Sequence, residues 1–241
     1  MEINFFIPSR NEEQLLEKNS LKLLYFLNSK NYSFAWKIFL VINDSSDNSE
    51  KIAQKLSSQE EKIKYIIIKE KGKGNAIKSF LDRSEADYNI YMDVDLAVSL
   101  ENIDDLLTEL LKKNKDIVIG SRLKKGAQTD RSFNREISSR IYILLSKIIF
   151  KHPFSDLQCG FKGIKKEAWQ KIGHLIQNKN WFFDTEMLIF AKQKGLEIGE
   201  IAVDWSENRY EKRKSKIKVF RDSLAFIKEL IKLKKRLKKK F

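Results

Sequence analysis

Residues that build disulfides and zinc sites are scarce in this sequence. Its 241 residues include one cysteine, Cys159, and two histidines, His152 and His174. A single cysteine excludes an internal disulfide, and these three residues cannot supply a zinc site. We expect Cys159 to be a small buried residue instead of a nucleophile, because the sequence offers it no histidine partner. Neither histidine has a ligand-like spacing, so both are expected to be ordinary core or surface residues.

Long hydrophobic runs are also missing. No stretch approaches the roughly eighteen apolar residues that a membrane-spanning helix requires. Hydrophobic residues make up 42% of the chain and charged residues 33%, a balance typical of a folded soluble protein. The sequence begins with a strand-like pattern and not with a signal peptide. We therefore expect a cytoplasmic protein with one main domain.

Acidic residues are few near the C-terminus, and the basic excess lies there. Residues 212–241 contain fourteen lysines and arginines against two acids, which accounts for +12 of the net charge of +14. Apolar residues recur at helical spacing, so we predict a basic amphipathic helix over residues 216–241. It either binds an anionic membrane surface, which the charge density favours, or packs on the domain. Aromatic residues do not alternate with its lysines, so nucleic acid is not the expected partner.

Five short apolar runs alternate with amphipathic segments along the first half of the chain. They span residues 3–7, 38–42, 63–68, 88–92 and 116–119. Such alternation predicts an α/β fold with a mostly parallel central sheet flanked by helices. Parallel sheets bind ligands at the carboxyl ends of their strands, so the residues that follow each run form the candidate site.

Two carboxylates follow the fourth run, at Asp93 and Asp95. Paired hard oxygen ligands suit Mg²⁺ or Mn²⁺, which also keep coordination positions open for substrate phosphates. The same residues could instead cap the helix that follows. The Asp-x-Asp pattern alone does not decide between the two interpretations.

The other strand ends are polar as well. The first run leads into residues 8–13, which have ordinary turn and helix-cap chemistry. The second leads into residues 43–49, whose many side-chain oxygens could accept hydrogen bonds from a base or ribose. The third leads into residues 71–76, where two glycines and a helix N-terminus suit a phosphate as well as an ordinary loop.

A basic segment introduces an apolar helix after the fifth run. Arg131, Arg135, Ser139 and Arg140 precede or open residues 141–150, which are almost all apolar. This predicts an interfacial helix over about residues 131–150, with apolar side chains among acyl chains and guanidinium groups facing lipid phosphates. The alternative is a core helix with a solvated basic start.

The ordered set of strand ends resembles the nucleotide-sugar-binding region of family 2 glycosyltransferases with the GT-A fold. That family shows a Pro-x-x-Asn-Glu turn, an acidic loop, a Gly-Lys-Gly segment and an Asp-x-Asp motif, and residues 8–95 contain a counterpart of each in this order. Residues 156–162, 181–186 and 200–205 look like the second half of polyprenyl-phosphate glycosyltransferases, especially dolichyl-phosphate β-glucosyltransferases. The resemblance covers roughly residues 3–230.

The resemblance implies a reaction and its partners. A sugar, with glucose favoured, would pass from a UDP-sugar to a polyprenyl phosphate with inversion at the anomeric carbon, assisted by Mg²⁺ or Mn²⁺. Residues 1–215 would form the catalytic domain of a peripheral enzyme on the cytoplasmic face of a membrane. A lipid phosphate is already anionic at neutral pH and needs no general base. Two alternatives keep the fold: GDP-mannose as donor, or a glycan or protein hydroxyl as acceptor, which needs a base such as Asp156 or Asp184.

The resemblance also implies roles for individual residues. The metal ligands would be Asp93 and Asp95, with Asp95 the first residue to test. The donor would be bound by Pro8, Arg10, Glu12, Asp44, Lys73, Gly74 and Asp93. The acceptor phosphate would be held by Arg122, Arg135 and Ser139, and the diphosphate also by Arg209, Ser215 and Lys216. Further candidates from the same motifs are Arg131, Asp156, Gln158, Asp184 and Glu186.

Overall fold

A seven-stranded sheet in the order β3-β2-β1-β4-β6-β5-β7 forms the centre of the protein. The computed structural model describes residues 1–130, 133–206 and 219–240. The strands are β1 (Glu2–Ser9), β2 (Ala35–Asn43), β3 (Ile63–Ile68), β4 (Tyr88–Met92), β5 (Ile117–Ser121), β6 (Phe161–Lys165) and β7 (Ile198–Ala202). Strand β6 runs antiparallel to β4 and β5, and the remaining pairs are parallel. The predicted α/β class and mostly parallel sheet are confirmed.

Helices cover both faces of this sheet. They are α1 (Glu13–Ser29), α2 (Ser49–Gln59), α3 (Lys73–Leu81), α4 (Asn102–Leu107), α5 (Phe133–Phe150), α6 (Lys166–Ile172), α7 (Phe183–Gln193) and α8 (Val219–Lys240). Successive side chains of a strand point to opposite faces, so Phe5 and Ile7 join one hydrophobic core with α1, α2 and α4. Phe6 joins the other core, with α3, α6, α7 and α8. Both faces are therefore buried, as parallel sheets require.

The first five strands were predicted from their apolar runs, and the last two were not. Strand β1 continues two residues beyond its predicted end to Ser9, and β5 runs from Ile117 to Ser121. Strand β6 has two lysines and a glycine among five residues, so its sequence lacks an apolar run. It is nevertheless a central strand, because its Lys162 is fully buried and paired with Asp184.

The C-terminal helix α8 packs on the domain through its apolar side. Leu230, Leu233 and Leu237 are buried in the same core as Phe182, and Phe226 contacts Tyr142 of α5 edge-on with ring centroids 5.2 Å apart. Burying a leucine side chain stabilises a protein by roughly 1.5–3 kcal/mol, so three leucines hold this helix firmly. Packing on the domain, the alternative that the charge did not favour, is thus what the helix does.

The predicted boundary between residues 215 and 216 lies outside the described residues and stays a prediction. Among the described residues, no helix is long and apolar enough to cross a membrane.

Candidate active site

Three non-glycine residues with positive φ mark the carboxyl edge of the sheet. Asn11 (φ 53°), Asp44 (φ 43°) and Leu96 (φ 44°) follow β1, β2 and β4. Such left-handed backbone costs free energy and is retained where the surrounding structure enforces it, often at functional sites. The strained positions therefore coincide with the strand ends that the sequence singled out.

Hydrogen bonds join the loops after β1 and β2. The side-chain oxygens of Ser45, Asp47 and Ser49 accept the backbone N–H groups of residues 11–13, over 3.0–3.1 Å. Burial acts to raise the pKa of Asp47, but the hydrogen bonds from Ser49 and Glu13 outweigh it and the pKa is lowered. Much of the oxygen in residues 43–49 therefore orders the neighbouring loop.

The predicted donor-binding residues of these two loops lie at the same edge of the sheet. Arg10 Nη2 is 3.1 Å from Asp44 Oδ2, and both side chains are partly exposed. Pro8 is the next-to-last residue of β1 and pairs in register with Val41. Glu12 directly precedes α1.

Lys73 and Asp93 form an ion pair at the centre of this edge. The ammonium of Lys73, the first residue of α3, lies 2.5 Å from Asp93 Oδ1 and 5.0 Å from the ring centroid of Trp181. Burial acts to lower the pKa of Lys73, but Asp93, Asp184 and Asp95 outweigh it and the pKa is raised. The ammonium is therefore a permanent charge beside the Asp-x-Asp motif.

Gly160 makes room for the Asp93 carboxylate. A Cβ at Gly160 would lie 2.0 Å from Asp93 Oδ2, and the Gly160 carbonyl accepts the backbone N–H of Asp93 over 3.0 Å. Any side chain at this position would displace the carboxylate. The loop before β6 thus shapes the site, a role that the sequence did not reveal.

The donor set of Asp93 and Asp95 fits a divalent metal. Helix α4 begins at Asn102, so neither carboxylate caps the helix that follows, and the capping interpretation is wrong. Asp95 is almost buried, and its Oδ1 accepts the N–H of Ala97 over 3.3 Å. No group of three or more His, Cys, Asp or Glu side chains among the described residues could hold a metal. Two carboxylates suffice for Mg²⁺ when substrate phosphates complete the shell.

Arg122 is locked to Asp156 by a bidentate ion pair. Its Nε lies 2.6 Å from Oδ2 and its Nη2 lies 3.0 Å from Oδ1, and both side chains are largely buried. Burial acts to raise the pKa of Asp156, but Arg122 outweighs it and the pKa is lowered. Within the described part of the chain, Nη1 of Arg122 has no hydrogen-bond partner.

The other candidates from the second-half motifs lie in buried networks beneath the edge. Asp184 accepts Lys162 Nζ over 2.6 Å and also the Tyr91 hydroxyl. Gln158 Nε2 donates to Thr185 Oγ1 over 2.7 Å. The burial of Lys162 could not be predicted from the sequence, because it depends on the pairing with Asp184.

The remaining predicted residues have less structural definition. Ser139 lies on α5 and is half-buried, and Arg135 belongs to the same helix but its side chain is outside the described part. Arg131, Arg209, Ser215 and Lys216 lie outside the described residues. Their roles stay predictions.

The cysteine and the histidines have the ordinary places expected of them. Cys159 is buried, and burial raises the pKa of its thiol to about 11, so it is no nucleophile. His152 is buried and His174 is exposed.

A surface cavity of about 690 Å³ opens just beyond Asp95. Its lining includes Phe26, Leu96, Ala97 and Trp205. Lys73, Asp93 and Arg122 do not line it, so the cavity is distinct from the charged centre of the edge.

Comparison with known proteins identifies relatives that match most of this chain. Glycosyltransferase AglD of Haloferax volcanii is 26% identical over 93% of this chain, and dolichyl-phosphate β-glucosyltransferase ALG5A of Trichomonas vaginalis is 30% identical over 85%. A dolichyl-phosphate β-glucosyltransferase of Saccharomyces cerevisiae is 28% identical over 95%. The chain spans 36%, 66% and 73% of these three proteins respectively.

Solved structures share the fold. Glucosyl-3-phosphoglycerate synthase from Mycobacterium tuberculosis, in complex with Mn²⁺, UDP-glucose and phosphoglyceric acid, aligns with a TM-score of 0.71 at 14% identity, over 96% of this chain and 79% of that one. The complex of the same enzyme with Mg²⁺ and UDP gives 0.70 at 14% identity, over 96% and 78%. These likenesses confirm the expected glycosyltransferase fold. The family model of "Glycosyl transferase family 2" matches residues 5–173, and this chain belongs to that family.

Proposed function

We propose that this protein transfers a sugar, with glucose favoured, from a UDP-sugar to a polyprenyl phosphate, with inversion and with a divalent metal. The observation that carries the proposal is the Lys73–Asp93 pair beside Asp95, where a cation and two carboxylates meet at the carboxyl edge of the sheet. Relatives named dolichyl-phosphate β-glucosyltransferases support the lipid phosphate as acceptor and glucose as the sugar.

The donor is bound by residues that follow four strands, β1 to β4. Asp93 and Asp95 would hold Mg²⁺ or Mn²⁺, which would supply positive charge to balance that of the leaving diphosphate. Lys73 provides a second positive charge for the diphosphate oxygens, and its raised pKa keeps it protonated. Arg10, Glu12 and Asp44, with Pro8 and Gly74 shaping the loops, bind the nucleoside.

The acceptor phosphate is bound by Arg122 together with Arg135 and Ser139. Asp156 fixes the guanidinium of Arg122 through Nε and Nη2, so Nη1 is the donor that remains for the phosphate. The phosphate is anionic at neutral pH and attacks the anomeric carbon directly. As this oxygen bonds to the anomeric carbon, the bond from that carbon to the diphosphate oxygen breaks and UDP leaves, so a single displacement inverts the anomeric centre and needs no base.

The buried carboxylates argue against a hydroxyl acceptor. Such an acceptor needs a base, and the two candidates are Asp156 and Asp184. Asp156 is occupied by Arg122, and Asp184 by Lys162 and Tyr91. Both are about 2% exposed, which leaves them little access to a substrate hydroxyl.

An apolar stripe on α5 supports attachment to a membrane surface. Ile137, Ile141, Leu144 and Ile148 are spaced to lie on one helical face and are 40%, 53%, 59% and 67% exposed. Helix α8 packs beside α5 and exposes Ile231 and several lysines, Lys228, Lys232, Lys234, Lys235 and Lys238. Exposed apolar side chains beside a basic helix suit the headgroup region of an anionic cytoplasmic leaflet, so we assign the protein a peripheral place there.

A donor and acceptor matrix tests the proposal. Purified protein is incubated with UDP-glucose, UDP-galactose, UDP-N-acetylglucosamine or GDP-mannose, each with polyprenyl phosphate in vesicles and with Mg²⁺ or Mn²⁺. We expect a polyprenyl-phosphate hexose from UDP-glucose, and no product when polyprenol replaces polyprenyl phosphate. The proposal is contradicted if the protein glycosylates polyprenol or a glycan but not polyprenyl phosphate. It is also contradicted if no donor gives a product with polyprenyl phosphate.

A further inference from the structure

Arg236, near the end of the C-terminal helix, reaches into the domain. It is the one arginine or lysine of α8 that we find aimed inward within the described residues: its Nη1 donates to Glu186 Oε1 and its Nη2 to the Leu175 carbonyl over 2.8 Å. The guanidinium carbon lies 5.5 Å from the ring centroid of Phe190. Arg236 belongs to the basic face of the helix that was predicted from the sequence. Its side chain nevertheless contacts the domain and helps to hold α8 against it.

The partner of Arg236 organises a connecting segment. Glu186, at 1% exposure, accepts the backbone N–H of Gln177 over 3.1 Å and of Asn178 over 2.7 Å, both through Oε2. Its other oxygen accepts Arg236. A buried carboxylate that lost this cation would be left with an uncompensated charge, and the segment that it holds would loosen.

The same segment supports the donor loop. The Lys179 carbonyl accepts the backbone N–H of Asn75 over 3.0 Å. A Cβ at Gly74 would lie 2.7 Å from the Asn180 carbonyl and 2.5 Å from the Phe183 Cβ, so the two segments touch directly. Trp181 in this segment lies against the ammonium of Lys73. The position of Lys73 thus depends on residues 175–182.

We propose that Arg236 is a positioning residue for the donor site. It holds Glu186, Glu186 holds residues 177–178, and the residues that follow them, 179–181, contact the segment that carries Lys73. The proposal rests on the proposed function, in which Lys73 binds the donor diphosphate. Helix α8 would then have two roles. It presents basic side chains to the membrane, and its packing on the domain sets the affinity for the nucleotide.

The test compares variants of α8 by UDP binding and by kinetics. Arg236→Met keeps an apolar stem against Phe190 but removes both hydrogen bonds, Arg236→Lys restores a charge, and Lys235→Ala removes a charge from the neighbouring exposed position. Calorimetry measures Kd for UDP with Mn²⁺ in the absence of membrane, and assays with UDP-glucose separate KM from kcat. Thermal unfolding confirms that each variant is folded.

We expect Arg236→Met to raise Kd for UDP and KM for UDP-glucose at least about fivefold, with kcat within about twofold, and Arg236→Lys to recover part of the loss. Lys235→Ala should leave Kd for UDP, measured without membrane, at the wild-type value. Equal Kd values for Arg236→Met and Lys235→Ala, both folded, overturn the inference. If Arg236→Met does not fold, Arg236→Lys decides alone: an unchanged Kd refutes the inference and a raised Kd supports it. Absence of UDP binding by the wild type would instead refute the proposed function.

Discussion

Oδ1 of Asp93 lies 2.5 Å from the ammonium of Lys73, and this contact joins the loop after β3 to the end of β4. The backbone of Gly160 packs against the other oxygen of the same carboxylate. The Asp93 carboxylate is therefore held between the ammonium of Lys73 and the backbone of Gly160.

Replacing Lys73 by methionine should weaken nucleotide binding. The variant keeps the apolar stem beside Trp181 but would lose the proposed charge-assisted hydrogen bond to the diphosphate, and such a bond contributes about 1.5–3 kcal/mol. We expect Kd for UDP to rise at least about tenfold, measured by calorimetry. Lys71→Met, at an exposed position of the same loop, is the matched control and should leave Kd unchanged. Equal affinities for the two variants would remove Lys73 from the donor site.

Replacing Asp95 by asparagine should abolish transfer without unfolding the protein. Loss of one of the two carboxylates proposed to bind the metal would remove several kcal/mol of transition-state stabilisation, so we expect kcat to fall at least about 100-fold. The measurement is turnover of UDP-glucose in Mn²⁺, with circular dichroism to verify the fold. Asp204→Asn replaces an exposed carboxylate and should retain activity. Substantial turnover by purified Asp95→Asn protein would show that Asp95 does not hold the metal.

The sequence foresaw the parts of the fold that local patterns encode. Apolar runs marked β1 to β5, and the polar residues after them marked the ligand edge, because parallel strands place their ends together. The Asp-x-Asp motif alone could not separate metal site from cap. The start of α4 at Asn102 excludes the cap, and the length of the loop before this helix is a tertiary property.

What the sequence could not foresee depends on contacts between distant residues. The charge of Lys162 suggests that β6 is a surface segment. In the structure this charge is buried, because it is paired with Asp184, which is 22 residues away. In the sequence, Arg236 is one of many charges on a basic helix. Its contact with Glu186, which is 50 residues away, is visible only in the structure. In both cases helical or strand periodicity reports burial of apolar groups and says nothing of paired charges.

Replacing Asp156 by asparagine should destabilise the protein strongly. Removing one partner of a buried ion pair leaves the other charge uncompensated, which costs about 3–5 kcal/mol. We expect the free energy of unfolding, from urea titrations at pH 7, to fall by about that amount. Glu61→Gln neutralises an exposed acid and should change it by less than about 0.5 kcal/mol. A loss of transfer by Asp156→Asn with unchanged stability would point to a catalytic base and revive the hydroxyl acceptor.

Charges placed on the apolar stripe of α5 should detach the protein from membranes. Ile141→Glu with Leu144→Glu removes exposed apolar surface and adds like charge opposite an anionic lipid. We expect binding to vesicles of anionic lipid to fall at least about tenfold in sedimentation assays, with Kd for UDP unchanged. Tyr25→Glu alters an equally exposed aromatic on α1 and should bind vesicles as the wild type does. Equal vesicle binding by the double variant would leave the stripe without a role at the membrane.

His152 should make the protein less stable as the pH falls below neutrality. Its Nε2 donates to Ser146 Oγ over 2.8 Å, because the hydroxyl proton of Ser146 goes to the Ile143 carbonyl. Within the described residues, the buried Nδ1 has no hydrogen-bond partner, so a proton there would be unsatisfied. Burial, aided by Lys147 and Lys192, lowers the pKa of His152 from 6.5 to about 4.

The unfolded chain therefore binds a proton at His152 that the folded protein refuses, and stability is present above pH 6.5 and lost towards pH 4. We expect the free energy of unfolding to fall by about 2 kcal/mol between pH 7 and pH 5, a range above the titration of most carboxylates. His152→Phe should be less stable at pH 7 but should flatten this slope. The exposed His174→Phe should keep it. If stability depends on pH equally in the two variants, another group must cause the dependence. The pKa of His152 would then be the same in the folded and the unfolded protein.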